Sequence, residues 1–129
     1  MAGSEMVVVD TGIFIDFLRA KNKAKTQLFQ IADEGELLIS SVTLYELLMG
    51  ATTPEKLKDI STLTEDIPVL PFDESTANEA ALIYHDLRKR NKMIEFRDLF
   101  IAATCVVNDV PLMTFNKKHF QRIKHINLV

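Results

Sequence analysis

Three acidic residues of this chain share one kind of position. Asp10 ends the apolar run Met6-Val7-Val8-Val9 and is followed at once by a helical pattern. Glu46 lies about one helical turn past a second apolar run, Leu37-Leu38-Ile39, inside Leu44-Tyr45-Glu46-Leu47-Leu48. Asp98 opens a buried-type helix in Phe96-Arg97-Asp98-Leu99, and Asn116 follows a further apolar run, Leu112-Met113-Thr114. In open α/β proteins, ligands bind at the carboxyl ends of parallel strands. Carboxylates gathered on that rim repel one another, and a cation between them relieves the repulsion. Mg²⁺ and Mn²⁺ take oxygen ligands, keep several waters and need few carboxylates. Such an ion lowers the pKa of a bound water and neutralises charge on a phosphoryl oxygen. The pattern thus points to metal-assisted chemistry that needs no nucleophilic side chain.

Each residue also has a simpler reading. Asp10 is a good helix cap. Thr43-Leu44-Tyr45-Glu46 has the form of a capping box, which for Glu46 alone is the stronger reading. Asp98 complements a helix dipole, and an Asn in the place of Asn116 is more often a cap than a ligand. It is the combination that favours a site. Competing chemistries lack their residues. His85, His119 and His125 have no zinc spacing and no cysteine partners. The four glycines, at 3, 12, 35 and 50, form no phosphate-binding fingerprint, and there is no G-x-S-x-G elbow.

The elements that must place these residues alternate. Residues 6–9 read as a buried strand. A helix over 11–19 follows, interrupted by the Lys/Asn-rich segment 21–25, then a helix over about 24–34 closed by Gly35. A strand at 37–39 leads to a helix at about 42–50, and Pro54 starts another over 54–65. Pro68-Val69-Leu70-Pro71 reads as a third strand. Asp73 caps a long helix with the stripe Ala77, Ala80, Ala81, Tyr84 and Leu87. Helix 97–108 is apolar nearly all round and should be central. A strand at 110–114, a short helix from Asn116 and a last strand at 126–129 complete the chain. This alternation predicts a three-layer α/β/α sandwich around a central, mainly parallel sheet.

The 129 residues fit a single domain, read as 6–129, with residues 1–5 as a disordered or appended N-terminal segment. No apolar run reaches the roughly 18 residues of a membrane helix. The N-terminus has no basic flank or cleavage site, so a secretory signal is not expected. The single Cys105 excludes an internal disulfide, suits a reducing compartment and reads as a buried, inert thiol; a cytoplasmic location is expected. A net charge of −3 is unlike the basic footprint of most nucleic-acid binders. Cations held by the acids would reverse that field locally.

Four blocks in order, Asp10-Thr11-Gly12-Ile13-Phe14, Ser41-Val42-Thr43-Leu44-Tyr45-Glu46, Arg97-Asp98-Leu99-Phe100-Ile101-Ala102-Ala103 and Thr114-Phe115-Asn116-Lys117-Lys118, resemble the PIN-domain family. More narrowly, they are similar to the VapC-type ribonuclease toxins of prokaryotic toxin–antitoxin pairs. The resemblance runs from Met6 to the end of the chain. It implies that Asp10, Glu46 and Asp98 hold Mg²⁺ or Mn²⁺ and that the site cuts RNA. Thr114 matches a hydroxyl residue beside such sites, and Thr11 and Ser41 would bond the acids or their waters. Asn116 stands where many relatives have a fourth acid, which weakens the case for a second ion. Among the basic groups that could guide RNA (Lys21, Lys23 and Lys25; Arg88-Lys89-Arg90 with Lys92), Lys117 and Lys118 are best placed by sequence. The family further implies a homodimer and a cognate antitoxin protein, docked on helices 11–19, 24–34 or 54–65. The alternatives are a catalytically silent PIN-like module that binds RNA or protein, and a receiver-type phosphoacceptor. The latter lacks both an acid ending a mid-chain strand and paired acids ending the first one.

Overall fold

The computed structural model describes residues 5–129. The reading of residues 1–4 as a disordered or appended segment lies outside these. Glu5 already takes part in pairing, its carbonyl accepting from the Glu36 N–H at 2.8 Å.

Four strands, β1 (Met6–Val9), β2 (Glu36–Ser40), β3 (Val69–Leu70) and β4 (Leu112–Met113), form one all-parallel sheet in the order β3-β2-β1-β4. Val8 pairs with Leu38 on one side and Leu112 on the other. Because side chains alternate across a strand, these three face one half of the core. They pack with α5 (Glu74–Lys89), α6 (Phe96–Asn108) and Phe120 of α7 (Lys117–Phe120). Val7, Val9, Ile39 and Met113 face the other half. There they meet Ile13 and Phe14 of α1 (Thr11–Arg19), Leu28 and Ile31 of α2 (Gln27–Ala32), Leu47 of α3 (Ser41–Gly50) and Ile60 of α4 (Pro54–Thr64). The result is the expected three layers. Ile13 and Phe14 are fully buried, and burying such side chains stabilises by roughly 1.5–3 kcal/mol each.

Several boundaries differ from the sequence reading, for local reasons. The helix expected at about 24–34 spans only Gln27–Ala32. Thr26 stops it from starting earlier by capping Phe29 N–H, and Lys23–Lys25 forms a separate 3-10 turn. No described glycine has a positive φ, so Gly35 makes no left-handed cap; Asp109, with φ 53°, makes one after α6. The strand expected at 126–129 reduces to a single parallel bridge between Leu128 and Leu112, entered through His125 at φ 68°. Pro68, Pro71 and Pro111 lack an N–H to donate and hold β3 and β4 to two residues each. Cys105 is buried, and burial pushes its thiol up to about 12, as suits an inert core residue.

Candidate active site

Between β1 and β4 the strand order reverses: β2 and β3 extend the sheet on one side of β1, and β4 returns on the other. Such a switch point opens a crevice at the strands' carboxyl ends. Asp10 and Thr114 are the next residues on these two strands. The Thr114 hydroxyl donates to Asp10 Oδ2 at 2.6 Å, and the Thr11 N–H donates to Oδ1 at 2.8 Å. Asp10 therefore caps α1 and at the same time lies at the carboxyl end of a central strand. It is only 9% exposed. Burial raises its carboxyl above the ordinary value, against the lowering effect of those two bonds, and the charge of Glu46 raises it further.

Glu46 is delivered by α3, and not as a capping box. The helix starts at Ser41, one turn earlier than the box requires, because Ser40 caps it by accepting from Thr43 N–H at 3.0 Å. Glu46 is thereby free to reach across to α1, where the Thr11 hydroxyl donates to its Oε1 at 2.7 Å. Thr11 Oγ1 also lies 3.0 Å from Thr43 Oγ1. A hydroxyl carries one proton, so with the Thr11 proton on Glu46 the buried Thr43 hydroxyl is the donor in that contact. Ser41 joins none of these bonds among the described residues.

Asp98, in the first turn of α6, is half-buried. Burial first, and the charge of Asp10 second, push its carboxyl up to about 6. Asp98 thus senses the charge of Asp10 although 88 residues separate them in sequence (98 − 10). Among the described residues no three His, Cys, Asp or Glu side chains lie close enough to hold a metal ion by themselves. The Asn116 amide contacts His119 Nδ1 at 2.7 Å, and Asn116 N–H donates to Thr114 Oγ1 at 2.9 Å. Asn116 thus braces the hydroxyl that holds Asp10.

Sequence reasoning missed Arg97. Its guanidinium Nη1 lies 3.4 Å from Glu46 Oε2, and Nη2 lies 2.9 Å from Glu95. A cation in a helix's first turn opposes the helix dipole, and that oddity was legible beside Asp98. Three of the nine proposed RNA-guiding cations have structural partners instead. The Lys23 ammonium donates to the Phe17, Leu18 and Ala20 carbonyls at the end of α1. Arg90 pairs with Asp86 at 2.6 Å, and Arg88 donates to the Tyr84 hydroxyl. Lys117 and Lys118 are exposed on α7 and enter none of the site's bonds.

An open parallel sheet with acids and hydroxyls gathered at its switch point defines an α/β protein with an acidic strand-end site. The chain belongs to the PIN-domain family, whose profile matches residues 7–126. It is similar to Ribonuclease VapC1 of Methanocaldococcus jannaschii, 31% identical over 95% of this chain and 84% of that protein. Ribonuclease VapC10 of Mycobacterium tuberculosis is 31% identical over 94% of this chain and 90% of its own length. Among solved structures, VapBC-1 from nontypeable Haemophilus influenzae matches with a TM-score of 0.82 at 28% identity, covering 96% of each chain. VapBC2 from Rickettsia felis, bound to a DNA fragment from its promoter, matches at 0.80 with 21% identity, covering 96% of this chain and 97% of that one. The latter is a likeness of fold.

Proposed function

We propose that this chain is an endoribonuclease that hydrolyses RNA phosphodiester bonds with Mg²⁺ or Mn²⁺, as the toxin of a toxin–antitoxin pair. The observation that carries the reading is the joining of Asp10 and Glu46 through Thr11 and Thr114 at the strand ends of a PIN domain, with Asp98 near enough for the charge of Asp10 to raise its carboxyl. The donor set fits a hard divalent ion. It is all oxygen, and neighbouring acids raise two of its carboxyls, Glu46 that of Asp10 and Asp10 that of Asp98, which is the repulsion a cation relieves. Mg²⁺ commonly uses only one or two carboxylates and fills its remaining positions with waters and substrate phosphate. Asp10 and Asp98 are the residues that would hold it. A bound ion would supply charge neutralisation at the phosphate and a lower pKa for the attacking water.

The chain's own groups do the rest. Thr11 N–H and Thr114 Oγ1 fix both oxygens of Asp10, so its orientation is set before substrate arrives. Thr11 Oγ1 holds Glu46 Oε1, and Oε2, which faces Arg97 at 3.4 Å, would orient the attacking water and take its proton. A cleft of about 330 Å³ opens beside Glu46, lined by Ile15, Leu18, Leu47 and Ile60 together with Arg19, Lys56 and Asp59. It lies among α1, α3 and α4 and would seat an antitoxin segment, which supports two of the three helices expected as docking surfaces. The toxin would act as a homodimer in the cytoplasm. Expression of the wild type is expected to arrest growth, and Asp98→Ala to abolish the arrest. The purified wild type is expected to cut RNA with Mg²⁺ and not with EDTA. Equal growth and uncut RNA would leave a silent RNA- or protein-binding module.

A further inference from the structure

Arg97 is placed for more than holding Glu46. At 3.4 Å its contact with Oε2 is long for a charge-assisted hydrogen bond. Glu46 is already secured by Thr11, so it needs no second tether. The guanidinium is 58% exposed and its shorter bond goes to Glu95, its neighbour but one. Ion pairs this exposed contribute little to stability, and the first turn of α6 is an unfavourable place for a cation. Its charge nevertheless reaches inward, lowering the carboxyl pKa of both Asp10 and Asp98. Arg97 thus lies beside Glu46 with most of its side chain in solvent, presenting a planar fork that matches phosphate oxygens.

We propose that Arg97 is a phosphate-binding residue of this site: its guanidinium leaves Glu46 and grips the RNA phosphate being cut, or its immediate neighbour. This rests on the ribonuclease reading and deepens it. Exchange of partners serves both groups, since it frees Glu46 Oε2 as the phosphate takes the fork. It also answers how a chain of net charge −3 admits a polyanion to a cluster of carboxylates.

The test is binding of a fluorescein-labelled single-stranded RNA oligonucleotide, followed by anisotropy with EDTA present, as salt is raised from about 50 to about 200 mM. Arg97→Ala is expected to bind about tenfold more weakly, as for loss of one charge-assisted contact. Its log–log salt slope should be shallower by about 0.7, the value for one phosphate contact on a single strand. Arg97→Lys should keep the slope and recover part of the affinity. Glu46→Gln should tighten binding, and this gain should vanish in Glu46→Gln/Arg97→Ala, because the freed guanidinium is then absent. Thermal unfolding of each variant checks that it is folded. Unchanged affinity and slope in a folded Arg97→Ala overturn the proposal, as does a wild type that binds no RNA in EDTA. If the wild type cuts RNA with Mg²⁺ while either result holds, the inference alone falls. If it neither binds nor cuts, the ribonuclease reading falls with it.

Discussion

Replacing Thr114 by Val tests whether Asp10 is held as a charged group by its neighbours. The side chain is 4% exposed, and its hydroxyl is the donor to Asp10 Oδ2 at 2.6 Å. Val keeps the shape and removes the donor. A hydrogen bond to a charged group contributes about 1.5–3 kcal/mol, so a loss of that size is expected near neutral pH. The Asn116 N–H, which also loses its acceptor, is half-exposed and turns to water at little cost. The pH dependence is the sharper signature. Asp10 already titrates above its ordinary 3.8 because burial outweighs its hydrogen bonds, and Thr114 is the largest of the influences that lower it. A carboxyl raised in the folded state binds its proton more tightly there than when unfolded. Stability therefore falls as pH climbs from the unfolded value through the folded one. In Thr114→Val that fall continues to higher pH, so the penalty is small near about pH 4 and grows as pH rises to neutral. Urea unfolding followed by circular dichroism, with EDTA present, measures both. Thr114→Ser, which keeps the hydroxyl, should lose only about 0.8 kcal/mol for its missing methyl. A Thr114→Val penalty below about 0.5 kcal/mol at neutral pH, or one equal at both pH values, would refute the reasoning.

Further consequences are open to measurement. Without divalent ions, Asp98→Asn should be more stable than the wild type at neutral pH. The carboxyl raised to about 6 makes the wild type lose stability between its ordinary 3.8 and that value; the gain is on the order of 1 kcal/mol once half-exposure is allowed for. Added Mg²⁺ should raise the Tm of the wild type and leave that of Asp98→Asn nearly unchanged, with the wild-type shift shrinking below about pH 6 as protons compete. Lys23→Met should lower Tm by a few degrees through loss of the α1 carbonyl contacts, while RNA cleavage is retained. Loss of cleavage in that variant would return Lys23 to the RNA path.

What could be read from sequence, and what could not, divides along physical lines. The strand-end position of Asp10 follows from a buried β-branched run that stops at a carboxylate, and the alternation of strands with helices requires the layered parallel sheet. The Asp10–Thr114 bond was not legible without the family resemblance, because it depends on β4 returning beside β1, a pairing set by the whole topology. Glu46 shows a local signal overridden by another close by. Thr43 and Glu46 have capping-box spacing, yet Ser40 caps first and shifts the helix start by one turn. The missed Arg97 is a case of weighing charges by runs, where single cations facing acids matter more. The basic clusters at 21–25 and 88–92 look available in sequence because helix C-termini attract cations, and there the structure uses Lys23 and Arg90.

Single-turnover cleavage of RNA with Mg²⁺ tests most directly whether residues 10, 46 and 98 act as one unit. The account predicts that Asp10→Asn, Glu46→Gln and Asp98→Asn each slow cleavage by at least about a hundredfold, and that the triple variant is hardly worse than the singles, as for groups that work together. A single variant that cuts at the wild-type rate while folded would contradict it.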